Sequence, residues 1–364
     1  MQICYSAQLV DWCSKTLLKK LKAPRAAATT QLQLELMEAA SDPVSLQDIT
    51  RIWASFHFLP RNLYARVKHS SRAYRDKYRM ICGPNSDLLA DTVELARGGS
   101  LQAAGIAMHI LADTWAHRNF AGTPSLVINN TDYYFYEMMP DGSERPVVFR
   151  HNPNAPDDPE KGIYTNSPYQ SGENSIMNLG HGRAGHLPDY SFMRYRYVPA
   201  WNNYEEVYKD NPNEYYQAFC QMVYAMKCLR GESGPFQVDT YATEEVAPYE
   251  KEVRTILEKR QPAEGAIEDW LAFGERLCGT AVDHFDLDTY VQEYIDADPD
   301  AKDDTYLGKF ILAALAQKGM VVNRIWSSGN PLAGRSIEYK GKGFAGIKDF
   351  LPLVRYLRRG DRRD

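Results

Sequence analysis

The sequence of 364 residues has little that would tie it to a membrane, to nucleic acid or to an oxidising compartment. No run approaches the roughly 18 consecutive apolar residues of a membrane-spanning helix. The start, Met-Gln-Ile-Cys-Tyr-Ser-Ala-Gln, lacks the basic and then apolar pattern of a secretory leader. With 42 basic and 47 acidic residues the net charge is −5, which supplies no bulk attraction for an obligate nucleic-acid partner. The six cysteines (Cys4, Cys13, Cys82, Cys220, Cys228, Cys278) contain no Cys-x-x-Cys pair, so neither a thiolate zinc site nor a thioredoxin motif is present. Cys220 and Cys228 fall in one helical pattern, a placement that does not favour a disulfide between them. These absences suggest free thiols and a cytoplasmic location, or export by a route without such a leader. Common catalytic frames are missing too: there is no Gly-x-Ser-x-Gly elbow, no phosphate-binding loop and no dinucleotide glycine fingerprint. Asp296-Ala-Asp298-Pro-Asp300 starts like a calcium loop, but Ala301 and Leu307 stand where that loop needs Gly and Glu.

What is present is a soluble-type composition, with 44% hydrophobic and 24% charged residues, arranged mostly with helical period. The first 120 residues read as successive helices with Ser and Thr at their starts, Ser100 capping the helix that carries His109. Residues 132–150 read as a β-hairpin turning at Pro140-Asp141-Gly142, followed by a Pro-, Asn- and Asp-rich stretch to Gln170 that is a candidate lid. Helical period returns over 172–185 and 213–229, then at about 244–259, 263–279, 286–296 and 304–319. The expected fold is therefore mainly α and multi-helical, with a small β-hairpin and loop excursion near residues 130–170. The expected organisation is a helical core over 1–230, carrying the excursion 121–170, and a C-terminal helical region over 231–364 packed on the same core. The 24 tyrosines, many between residues 132 and 224, are read as packing rather than as a cleft lining.

Two windows carry chemistry. Residues 105–122 place His109, Asp113 and His117 at i, i+4 and i+8 of one helix, a drift of only about 80° around its axis. Imidazole and carboxylate on one apolar face suit a borderline-soft divalent metal such as zinc. The plainer reading is a metal-free ladder of core histidines. The second window, residues 178–190, holds His181, His186 and Asp189 among Gly180, Gly182 and Gly185. Small residues between ligands suit a tight metal pocket; a glycine-rich helix end with local hydrogen bonds is the alternative. His57 lies between aromatics in Phe56-His57-Phe58-Leu59-Pro60, and Cys82-Gly-Pro-Asn-Ser86 is a turn entering a helix.

Taken in order, these four motifs, with Asn211-Pro-Asn-Glu-Tyr heading a later helix, resemble an uncharacterised microbial family known as a domain of unknown function. The resemblance spans about residues 50–230. The pattern is also distantly similar to zinc-dependent phospholipase C and the related single-strand nucleases, all-α enzymes whose zinc cluster cleaves phosphodiesters. That similarity implies His109 and Asp113 as helix ligands, Asp113 bridging two metals, His117 as the next ligand and His181 opening the second set. The relatives' acidic residue four positions after that histidine is Gly185 here, so His186 or Asp189 substitutes. The relatives' N-terminal Trp is Met1 here, so of one to three zinc ions, two are expected.

On this reading the protein is a zinc-dependent hydrolase of a phosphodiester, whether phospholipid or nucleotide. The metal ligands would be His57, His109, Asp113, His117, His181 and His186; Asp189 would be the general base, and Arg183, or else Arg118, would neutralise a phosphoryl oxygen. Two other readings stay open: a scaffold or interaction protein with a structural metal or none, and a toxin or effector using the same chemistry.

Overall fold

The computed structural model of the protein describes residues 1–39, 43–68, 70–131, 134–152, 154–203, 205–282 and 285–334. The N-terminal part is helical: α1 (Gln2–Trp12), α2 (Lys15–Lys20), α3 (Gln33–Ala39), α4 (Pro43–Phe56), α5 (Arg72–Tyr78), α6 (Asp87–Ala96), α7 (Leu101–Ala116) and α8 (Leu126–Asn129). Six short strands follow: β1 (Tyr136–Met138), β2 (Glu144–Pro146), β3 (Val148–Arg150), β4 (Ile163–Thr165), β5 (Arg194–Tyr197) and β6 (Val207–Asp210). The chain then returns to helix in α9 (Asn211–Leu229), α10 (Thr243–Val246), α11 (Glu250–Glu258), α12 (Ala263–Cys278), α13 (Leu287–Asp296) and α14 (Tyr306–Ser327).

The mainly α expectation is corrected by this count. Helices take up 53% of the described residues, and the remainder includes a four-stranded antiparallel sheet in the order β2-β1-β5-β6 and a parallel pair β3-β4. The fold is mixed α/β. The hairpin turn does fall at residues 139–142, where Gly142 has φ +83° and donates to the Met139 carbonyl. Its second arm is divided, however: Glu144–Pro146 pairs with β1, whereas Val148–Arg150 pairs with Ile163–Thr165. Strands β5 and β6 lie outside the expected excursion. Tyr195 and Tyr197 alternate with arginines, burying one face completely, a period of two that marks a half-buried strand. The helix expected over 172–185 is also absent; one 3-10 turn at Ile176–Asn178 is followed by turns in which Gly180 and Gly185 adopt φ +57° and +58°.

Two cores meet. The larger is helical: Leu9 and Val10 of α1, Ile52 of α4, Leu89 and Val93 of α6, Ile110 and Leu111 of α7, and Phe310, Val321 and Val322 of α14 are all buried within it. The α14 residues come from the C-terminal region, which thus shares that core. The smaller core backs the sheet with Phe58, Phe120, Phe135, Tyr164, Leu187, Tyr195 and Tyr197. Helix α7 is apolar nearly all round, as expected of a helix enclosed by neighbours. Ser100 caps it by accepting from the Ala103 amide. Gly105 lets α1 come close: a Cβ there would lie 2.5 Å from the Ile3 carbonyl oxygen and from Ser6 Cβ. No described helix is long and apolar enough to cross a membrane.

Candidate metal centre

The seam between the two cores collects the sequence's chemical residues from four separate places. Asp11 comes from α1, and its approach depends on the close packing at Gly105. His57 follows the last residue of α4, its amide donating back to the Trp53 carbonyl. His109 and Asp113 project from α7, and His117 caps that helix, its amide bonded to the Asp113 carbonyl at 2.8 Å. His181 and Asp189 arrive from the irregular glycine-rich segment.

These side chains form two adjacent donor groups. In the first, His57 Nδ1 and His109 Nε2 lie 3.3 Å apart and each lies 3.1 Å from Asp113 Oδ2. Asp11 Oδ1 closes the group at 3.9 Å from both nitrogens. Tetrahedral ligands at zinc-like bond lengths are separated by about 3.4 Å, and the donor atoms of Asp11, His57 and His109, all within 4.8 Å of one another, could hold one small divalent ion. In the second, Asp189 Oδ1 lies 3.5 Å from His117 Nε2 and 3.6 Å from His181 Nε2. Each group has one exposed carboxylate, the Asp11 side chain being 47% and the Asp189 side chain 41% exposed. Asp113 stands between the groups, Oδ2 also lying 3.6 Å from His117 Nδ1.

The hydrogen bonds behind the rings explain which nitrogens face inward. A carbonyl can only accept, so each ring nitrogen paired with one must carry the proton. His57 donates from Nε2 to the Thr29 carbonyl (3.0 Å), His117 from Nδ1 to the His57 carbonyl (2.7 Å), and His181 from Nδ1 to the Gly185 carbonyl (2.7 Å). The opposite nitrogens, His57 Nδ1 and the Nε2 atoms of His117 and His181, are thereby turned into the two groups. Backbone carbonyls fixing tautomers behind converging imidazoles is the second-sphere arrangement of metal sites. Phe58 stacks on the His117 ring at 4.6 Å between centroids and holds its plane.

Electrostatics agree with a shared positive charge at the centre. Burial would raise the Asp113 pKa, but the charges of His109 and His117 and the bonds from His109 and His57 hold it far below the usual carboxylate range. Burial would lower the His117 pKa; the Asp113 charge and the Asp189 hydrogen bond reverse this and lift it to about 9. His109 is likewise raised despite burial, through Asp113 and Asp11. His181 is lowered, mainly by burial, with the Asp189 charge only partly offsetting it. Asp189 is lowered against its burial by the charge of His181 and the bond to His117. Without a bound cation, the protons on His109 and His117 balance the carboxylates of this cluster.

Not every expected site residue is in the centre. His186 points elsewhere: Nδ1 lies 3.1 Å from Asp157 Oδ2, and its side chain is 61% exposed. Asp157 is itself held by the Tyr190 hydroxyl (2.9 Å) and the Thr165 amide (2.6 Å). Asp189, expected as a base, is placed among the donors of the second group. Arg183 is 2% exposed and donates to the Ser167 carbonyl at 3.2 Å, which fixes a loop rather than facing the centre. Arg118 pairs with Glu214 at 3.3 Å, and Glu214 also receives the buried Lys209. Two acids were not singled out from sequence. Asp11 is the single acidic residue of α1, and Asp157 lies in a Pro- and Asp-rich loop; neither has a motif around it.

Fold and centre together define a mixed α/β protein with a seam of two converging His/Asp groups. The chain belongs to DUF6765, a family of unknown function, whose family model matches residues 1–325. No curated protein and no solved structure matches it. The distant similarity to phospholipase C and the single-strand nucleases therefore gains no support from either comparison.

Proposed function

We propose that this protein is a metal-dependent hydrolase of phosphodiesters. The observation that supports it best is the pairing of two His/Asp groups of three donors each, Asp11-His57-His109 and His117-His181-Asp189, with Asp113 between them. Three protein ligands leave a position for water or substrate, and each group has one exposed carboxylate, Asp11 at 47% and Asp189 at 41%. The mixed nitrogen and oxygen donors fit zinc among the common divalent metals. Bound there, paired divalent ions would acidify a water and neutralise phosphoryl oxygens during displacement.

The chain's own residues divide the remaining work. Asp11, His57 and His109 hold the first group and His117, His181 and Asp189 the second, with Asp113 shared between them. His186 lines a cavity together with His181, and another with Asp189. Because its Nδ1 proton is directed at Asp157, its Nε2 is the accepting side, the disposition of a general base. That role passes to His186 once Asp189 is a ligand.

The test is metal content by elemental analysis together with hydrolysis of bis(4-nitrophenyl) phosphate, on the wild type and on His181→Ala. The wild type should carry two divalent ions and turn over; His181→Ala should lose one ion and at least about 100-fold in rate while its circular dichroism is unchanged. Wild-type protein that binds no metal after zinc is supplied refutes the proposal. So does full metal loading without diester hydrolysis, and unfolding by chelator would then favour a structural metal.

A further inference from the structure

The motif Asn211-Pro212-Asn213-Glu214-Tyr215 forms the first turn of α9 and contributes no ligand to either donor group. Its side chains nevertheless turn toward the second group. Asn211 is fully buried, and its Nδ2 donates to the Leu187 carbonyl (3.0 Å) and to the Tyr190 carbonyl (2.8 Å). The Tyr215 hydroxyl donates to the Pro188 carbonyl between them. Of residues 187–190, three are thus held by their carbonyls from α9, and the fourth is Asp189.

The same turn grips the other arm of the group. Glu214 receives Arg118 at 3.3 Å and the ammonium of Lys209. Arg118 directly follows His117, and Lys209, 1% exposed, donates onward to the Trp115 carbonyl at 3.2 Å. Helix α9 is therefore tied to the chain on both sides of Asp189 and on both sides of His117. The quantity these ties fix is the gap between the two side chains, 3.5 Å from Asp189 Oδ1 to His117 Nε2. Neither arm fixes that gap alone. His117 stands at the end of α7, where ψ has risen to 13° and left the helical range, and Asp189 lies in turns outside any strand ladder. Burying an amide and an ammonium is costly unless both are bonded, and here their bonds go to backbone beside two candidate ligands.

Resting on the metal reading of the same centre, and not on the choice of substrate, we propose that the first turn of α9 is a clamp that sets the second donor group, with Asn211, Glu214 and Tyr215 as positioning residues for the second ion. The first group is set elsewhere: His57 is oriented by the Thr29 carbonyl, and His109 by its place on α7. Loosening the clamp should thus act on one ion of the two. Partners that orient metal ligands typically carry about 10- to 100-fold in metal affinity.

The experiment titrates zinc calorimetrically into chelator-stripped full-length protein as wild type, Tyr215→Phe and Asn211→Ala. Gly142→Ala, in the turn between β1 and β2, is the control for lost stability alone. Wild type should bind two ions. Tyr215→Phe should bind the second ion about tenfold more weakly and Asn211→Ala about 100-fold, with the first ion within threefold of wild type. Gly142→Ala should bind both ions as wild type does, although it melts earlier. Cobalt(II) gives a second readout, because its visible absorption follows coordination geometry: the band of the second cobalt should change in Tyr215→Phe, whereas a role in stability alone leaves it as it was. Tyr215→Phe keeps the ring and decides the matter if Asn211→Ala does not fold. Both ions held within threefold of wild type in Tyr215→Phe, with an unchanged cobalt spectrum, overturn the clamp, as does equal weakening of the two ions. Wild type that takes up fewer than two ions overturns the metal reading and the clamp with it. Selective loss of the second ion in the variants, in a wild type that hydrolyses no diester, supports the clamp and overturns the phosphodiester reading.

Discussion

Removing the charge on Asp113 while keeping its shape tests the centre at its pivot. In Asp113→Asn the oxygen that lies 3.1 Å from both His57 Nδ1 and His109 Nε2 becomes part of a neutral amide. The structure supplies a measure of what that charge does. It is the main influence raising His117 from 6.5 to about 9 against the opposing effect of burial, a rise equivalent to about 3 kcal/mol. A divalent ion carries twice the charge of a proton, and breaking one side of a buried charge pair costs about 3–5 kcal/mol. Affinity for the first ion should therefore fall roughly a thousandfold. The assay is calorimetric titration of zinc into chelator-stripped protein at pH 7, in two buffers of different ionisation enthalpy so that protons are counted. Wild type should bind two ions and release at least one proton, since His117 must give up its proton for Nε2 to be shared with a metal while Nδ1 stays bonded to the His57 carbonyl. The variant should bind more weakly and release fewer protons. Asp113→Asn that binds both ions within threefold of wild type, with the same proton release, would refute the two-group centre.

Two further outcomes follow from the same geometry. In the metal-free protein, the raised pKa of His117 contributes stability that is fully present below pH 6.5 and is lost as pH rises through about 9. The depressed pKa of Asp113 contributes stability present above about pH 4 and lost as pH falls toward its folded value. The melting temperature of stripped wild type should thus drop between pH 6.5 and 9, and that of stripped Asp113→Asn should change much less over the range; equal slopes would count against the pairing. Gly185→Ala should cost more than about 2 kcal/mol, because φ is +58° and the new Cβ would lie 2.1 Å from the Thr165 carbonyl oxygen. It should also weaken the second ion about 10- to 100-fold, since the Gly185 carbonyl orients His181. Gly142→Ala has a similar φ of +83° with no atom near, and should cost only about 1 kcal/mol, without effect on metal; thermal melts that rank the two equally would dismiss the close contact as the cause.

The helices were readable from sequence where caps and period coincided, as at Ser100 before α7 and Ser86 before α6, whose hydroxyls accept from Ala103 and Leu89. The sheet was not, for a physical reason. Strands β5 and β6 are four residues long, and their alternating positions include Arg, Lys and Asp. Lys209 of β6 is buried with its ammonium on Glu214 and the Trp115 carbonyl (3.2 Å), so a position that reads as solvent-facing is interior. The apolar spacing of Ile176, Met177 and Leu179 suggests a helix, but the turns that follow need positive φ at Gly180 and Gly185. The larger fold error, mainly α instead of mixed α/β, comes from these short strands being held by tertiary partners rather than by their own pattern.

The centre divides along the same line. His109, Asp113 and His117 share a helix, so their convergence follows from helical geometry alone. Asp11 reaches His57 and His109 only because α1 lies against α7 at Gly105, a contact between residues about a hundred positions apart. The choice between His186 and Asp189 depended on a turn: with Gly185 in the left-handed region, Asp189 meets His117 and His181, and His186 is carried to Asp157. What separates these histidines from ordinary core histidines is also absent from any motif. The decisive partners are the carbonyls of Thr29, His57 and Gly185, which every residue type possesses. They take one proton from each of three rings and turn the other nitrogens toward the carboxylates of Asp11, Asp113 and Asp189. In the metal-free protein a second proton, as on His117, holds such an array together, and a divalent ion bound in its place would displace it.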